Sequence, residues 1–72
     1  MSTINDRLEL SLLVKKLRKE KSISQEQLSQ FAGISRQTLS EIERGNADFQ
    51  ISTLLKIIKL LGCKLIVEEV KR

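Results

Sequence analysis

The 72 residues contain no histidine, proline, tryptophan or tyrosine, and only one cysteine. With no imidazole, one unpaired thiol and no clustered carboxylates, the groups that usually carry acid–base or nucleophilic catalysis are missing. The same absences leave no set of side chains suited to holding zinc, so the reading is neither an enzyme nor a metal protein, and no cofactor is assigned. Cys63 has no partner for an internal disulfide, which fits a reducing compartment. It follows an apolar helix and reads as a small buried residue rather than a redox centre. Aromatics make up only 3% of the chain, which argues against a protein that stacks unpaired bases. No apolar run approaches a membrane span. The N-terminus lacks a basic region followed by an apolar run, so no secretory leader and no membrane partner are expected, and the location is read as cytoplasmic. The lack of proline and the scarcity of glycine, three in all, suit a mostly helical chain.

The composition is 40% hydrophobic and 31% charged, the balance of a folded domain rather than a disordered one. Residues 1–72 are read as a single domain. A core of this size is marginal alone, and a partner subunit would help it. The net charge of +4 and the pI near 9.6 are compatible with nucleic acid, though a modest basic excess also serves solubility.

Four helices are predicted, over about 6–20, 24–32, 35–44 and 51–61. Thr3 or Asn5 is the candidate cap of the first. Its Leu10, Leu13, Val14 and Leu17 follow the spacing of one buried face, while Leu8 and Leu12 lie off it and suggest a second face against another chain. Its end carries Lys15, Lys16, Arg18, Lys19 and Lys21 against only Glu20. These cations complement the helix dipole, and they would also form a phosphate-facing edge. In the second helix Ser24 is the cap and Gln27 closes a capping box. Leu28, Phe31 and Ala32 are its apolar stripe, Gly33 its stop and Ile34 a core plug in the turn. Ser35 caps the third helix, Leu39 and Ile42 form its stripe, and Gly45 stops it. Phe49 plugs the core from the next loop. The fourth helix carries the stripe Ile51, Leu54, Leu55, Ile58 and Leu61, widened by Ile57 and Leu60, and ends at Gly62.

Residues 64–70 are bounded by glycine and charge, and their run Leu65-Ile66-Val67 reads as a strand. No other stretch is a convincing strand, and a lone strand leaves its backbone groups unpaired. Antiparallel pairing with the same strand of a second chain solves this and predicts a homodimer with Leu65, Ile66 and Val67 at its seam. The alternatives are a disordered tail or weak pairing with residues 2–4.

Two short helices joined by a tight glycine-containing turn form a helix-turn-helix unit. The second of them enters the major groove in such units, and the first crosses the backbone. Ser35, Arg36, Gln37 and Ser40 lie off the apolar stripe and are expected to face bases, with Arg36 matching the two acceptors of guanine. Gln25, Thr38, Arg44 and Asn46 are expected to hold phosphates. Glu41 and Glu43 would repel DNA, so they should lean away or pair with neighbouring cations. A two-fold dimer implies a palindromic operator with half-sites roughly 34 Å apart.

The residues Leu17-Arg18, Ser24 to Leu28, Ala32 to Ser35, Leu39-Ser40, Ile42 to Gly45, and Leu54-Leu55 through Leu61-Gly62 resemble the lambda-repressor-like (XRE or Cro type) helix-turn-helix family. The resemblance covers residues 13–61 and implies that Gln25, Ser35, Arg36, Gln37, Ser40 and Arg44 face double-stranded DNA. Ser29 departs from the alanine usual there, but a serine can bond back to its own helix. The usual fifth helix is absent and a strand replaces it, which looks most like the HipB-type antitoxins. That likeness implies repression of the protein's own toxin–antitoxin operon and binding of a HipA-like serine/threonine kinase. The alternatives are a stand-alone phage or restriction-modification repressor, or an interaction module that keeps the fold without binding DNA.

Overall fold

The computed structural model describes residues 3–71, and within them the chain forms four α-helices: α1 (Arg7–Glu20), α2 (Gln25–Ala32), α3 (Arg36–Glu43) and α4 (Ile51–Leu60). Asp6 caps α1, in place of the expected Thr3 or Asn5. Its carboxylate accepts from the Glu9 N–H at 2.8 Å, and Glu9 reaches back to accept from the Asn5 N–H at 2.8 Å. In α2 the capping box is complete: Gln27 N–H donates to Ser24 Oγ at 3.0 Å and Ser24 N–H to Gln27 Oε1 at 2.9 Å. Ser35 caps α3 by accepting from Thr38 N–H at 3.0 Å.

All four helices stop in the same way. Just past each helix end a residue donates its N–H to the carbonyl five residues back: Ile23 to Arg18, Ile34 to Ser29, Asn46 to Glu41 and Cys63 to Ile58, at 2.9–3.0 Å. Such a stop needs a left-handed residue between. Gly45 supplies it after α3 at φ +80°, where a Cβ would also sit 2.8 Å from Leu8 Cδ1. At the end of α1 the position falls to Ser22, at φ +57°, with no glycine available.

The core gathers Val14, Leu28, Ala32, Leu39, Ile57 and Leu61, with Leu10, Leu17, Ile23, Ile34, Phe49 and Leu60 packed around it. α2 lies against α3 and α4, and α1 against α3. Ile34 and Phe49 plug the core as expected. The buried faces of α1 and α4 are rotated from the expected ones. In α1 the buried residues are Ser11, Val14 and Arg18, flanked by the half-buried Leu10, Leu13 and Leu17. In α4 they are Thr53, Leu54 and Ile57, while Ile51 and Leu55 are exposed. Phe31 is likewise exposed rather than part of the core. For α1 and α4 the reason is common: each carries more apolar residues than one face accommodates, and packing against neighbours selects among them.

Ser11 is fully buried and its hydroxyl has no hydrogen-bond partner. A buried unpaired hydroxyl costs free energy, and alanine is the better helix former. Ser11→Ala is therefore expected to stabilise the domain by about 1 kcal/mol, read as a rise in the thermal midpoint of roughly 4–8 °C. A lower midpoint would mean that the hydroxyl is bonded in solution.

Residues 63–71 carry no helix and, within the single chain, no strand. Cys63, expected to be buried, is exposed, because Gly62 turns the chain away from α4. Residues 3 and 4 form no bridge to this segment, and residue 2 of the alternative pairing lies outside the described residues. Among the described residues no helix is long and apolar enough to cross a membrane.

Candidate nucleic-acid interface

The turn between α2 and α3 is set by sequence rules that act locally. Gly33, left-handed at φ +74°, ends α2, and Ser35 starts α3 two residues later. Leu28, Ala32, Leu39 and Ile42 are buried, which locks the two helices together. The outer surface of this pair is then defined by what the buried stripes leave over.

Five of the expected contact residues converge there. Gln25 from the first turn of α2, Arg36, Gln37 and Ser40 of α3, and Arg44 at its end line one shallow open concavity. Arg36 and Gln37 are exposed and make no side-chain hydrogen bond or ion pair with the other described residues. Their donors and acceptors are thus free. Arg44 donates to Ser40 Oγ at 3.0 Å, which leaves the Ser40 hydroxyl proton available. Ser35, Thr38 and Asn46 do not line the concavity. Ser35 Oγ is committed on both sides, accepting from Thr38 N–H and donating to Thr38 Oγ1 at 2.8 Å. Thr38 remains exposed with its own hydroxyl proton free. Asn46 donates to Glu41 Oε2 at 3.2 Å.

The two carboxylates near this face are both occupied. Glu41 lies 3.7 Å from the Arg44 guanidinium and also holds Asn46. Glu43 points inward. Its Oε2 accepts from Arg18 Nε at 2.7 Å, and its Oε1 accepts from Arg18 Nη2 at 3.0 Å. Arg18 spends a further N–H on the Ile23 carbonyl at 2.8 Å. The side chains of this pair are 10% and 2% exposed, so Arg18 is no part of a phosphate-facing edge, as had been expected for it. The bidentate geometry and the third bond are what allow two charges to be buried together.

Gln25 joins this network. Its Nε2 donates to Glu43 Oε1 at 3.0 Å, so its side chain is oriented by the ion pair beneath. The N–H groups of Gln25 and Glu26 belong to the first helical turn and have no carbonyl within the helix to reach. An anion placed over Gln25 would therefore meet backbone donors, the positive end of the α2 dipole and the Arg36 and Arg44 side chains.

The Arg18–Glu43–Gln25 chain was not read from the sequence beyond the expectation that Glu43 leans away or pairs with a cation, and it becomes legible only once the buried face of α1 is known. Arg18 continues the buried series Ser11, Val14, Arg18, and Glu43 adjoins Ile42 on the stripe begun by Leu39. Opposite charges on two inward faces are the mark of a buried pair.

Comparison with known proteins bears on the same segment. The profile of a family described as "Helix-turn-helix" matches residues 14–67. The chain is similar to the HTH-type transcriptional regulator y4mF of Sinorhizobium fredii, 30% identical over 57 residues, 79% of this chain and 75% of that one. Among solved structures it is similar to the restriction-modification controller protein C.AhdI from Aeromonas hydrophila, at 27% identity and a TM-score of 0.75, over 82% of this chain and 89% of that one. A chain of the HipA-HipB-O2-O3 complex shares the fold at a TM-score of 0.82 over 99% of this chain and 100% of that one, with 22% identity. The chain belongs to the lambda-repressor-like (XRE/Cro-type) helix-turn-helix family of transcriptional regulators.

Proposed function

We propose that this protein is a cytoplasmic repressor that binds a palindromic DNA operator as a homodimer. The carrying observation is the convergence of Gln25, Arg36, Gln37, Ser40 and Arg44 on one open face, with both nearby carboxylates neutralised by their own partners. On this reading Arg36 and Gln37 read base edges, with Ser35 and Ser40 at close approach. Gln25, Thr38, Arg44 and Asn46 fix the phosphates. Two copies are joined through residues 64–70, where Leu65, Ile66 and Val67 are exposed in the single chain and their backbone is unpaired. The whole of residues 1–72 acts as one DNA-binding domain.

As the biological setting we propose a HipB-like antitoxin that represses its own operon and binds a HipA-like kinase. Its support is a fold shared over nearly the full length, the C-terminal segment included. A second setting, a restriction-modification controller, is favoured by the higher identity to C.AhdI.

The test is a gel shift with the DNA upstream of the gene. Specific retardation is expected, with log affinity falling steeply and linearly against log salt, by about 0.9 per phosphate neutralised. No shift, or binding indifferent to salt, would mean that the fold serves protein contacts instead. Co-expression with the neighbouring reading frame separates the two settings: a stable complex with a kinase-like product supports the antitoxin.

A further inference from the structure

The apolar side chains of the C-terminal segment are exposed: Leu65 at 52%, Ile66 at 61%, Val67 at 91% and Val70 at 78%. They stand between charges in the order Lys64, Leu65, Ile66, Val67, Glu68, Glu69, Val70, Lys71. Resting on the homodimer reading above, we infer that two copies of this segment pair antiparallel in a single register, with the two-fold axis passing through Ile66.

Charge and face together select this register. In an antiparallel pair, residues directly opposite share a face, and every second residue returns to that face. With Ile66 opposite the same residue of the second copy, Leu65 stands opposite Val67 and Lys64 opposite Glu68. Two-fold symmetry supplies each of these pairs twice. One face of the ribbon then carries Leu65 and Val67 from both copies, an uninterrupted apolar patch. The other carries the Ile66 pair flanked by two Lys64–Glu68 pairs.

Neighbouring registers do not achieve this. An axis between Ile66 and Val67 is excluded, because it would set residues of opposite faces against one another, and an axis through Leu65 sets Lys64 against Ile66 and Glu68 against Gly62. An axis through Val67 sets Leu65 against Glu69, Ile66 against Glu68 and Lys64 against Val70. A parallel, in-register pair sets lysine against lysine and glutamate against glutamate. Register in a two-stranded ribbon is chosen by such cross-strand pairs. The charges at its ends therefore act as the alignment code for the dimer.

The experiment is charge reversal in the full chain, with the dimer dissociation constant measured by sedimentation equilibrium. K64E and E68K, each placing like charges opposite one another twice, should each weaken the dimer roughly tenfold. The double variant K64E/E68K should return to within about threefold of the parent, and K64E/E69K should not. Rescue by E69K instead of E68K would overturn the register and leave the dimer standing. Equal affinity for all variants would overturn the pairing of these charges. A parent chain that stays monomeric at micromolar concentration would overturn the dimer reading itself, and the register with it. The substituted side chains are exposed and outside the helices, so thermal melts of all variants should coincide once extrapolated to the monomer.

Discussion

Glu43→Ala is expected to cost the domain about 3–5 kcal/mol, the penalty of stranding one member of a buried ion pair. Arg18 would keep only its bond to the Ile23 carbonyl, with its charge enclosed and unmatched. Gln25 would lose the acceptor that orients it. For a domain of this length the whole stability is about 4–11 kcal/mol, so the substitution removes roughly a quarter or more of it. The thermal midpoint should fall by at least roughly 12 °C, followed by far-ultraviolet dichroism without DNA. Glu41→Ala, which breaks a solvent-accessible pair with Arg44 and an exposed hydrogen bond from Asn46, should move it by less than about 4 °C. The double replacement Arg18→Met with Glu43→Leu should recover much of the loss, since it leaves no charge behind. A midpoint for Glu43→Ala within a few degrees of the parent would show that water reaches Arg18 in solution.

Arg36→Ala is expected to leave stability unchanged and to weaken operator binding by about 1–3 kcal/mol, roughly five- to 150-fold. The side chain is exposed and has no partner among the described residues, so nothing in the fold depends on it. Binding to random DNA should fall much less, and discrimination should relax at one base pair in each half-site. Arg44→Ala serves as the contrast. It should weaken all sequences alike and reduce the salt slope by about one. Titrations on operator and scrambled DNA at two salt concentrations separate these outcomes. Equal loss on both DNAs for Arg36→Ala would move that residue from base reading to phosphate contact.

The parts of this molecule that were legible in the sequence are those written in short-range rules. Ser24 with Gln27, Ser35 and the glycines at 33, 45 and 62 bound their helices to within a residue or so, because capping involves atoms only a few residues apart. The exposed face of α3 followed from its two clear apolar positions, Leu39 and Ile42. Face selection in α1 and α4 was not legible. In these two helices leucine, isoleucine and valine occur almost all round, and which of them are buried depends on neighbours that only the folded chain supplies. Arg18 escaped for a related reason: a charged residue in a lysine-rich stretch reads as solvated unless its helix phase is known. Ser29 behaved as expected, turning its hydroxyl to the Glu26 carbonyl at 2.9 Å. The strand expected at 64–70 is a different case, since a strand needs a second segment to pair with and residues 63–71 carry none within the single chain.

The stops that end all four helices have a kinetic consequence. All three glycines of the chain stand at these stops and none lies inside a helix. On the proposed function, α2 and α3, locked together by the buried Leu28, Ala32, Leu39 and Ile42, meet DNA as one solid body. Such a body docks by being correctly oriented on arrival rather than by rearranging afterwards. Its association rate should track ionic strength through electrostatic steering, with no slow phase that saturates as DNA concentration rises.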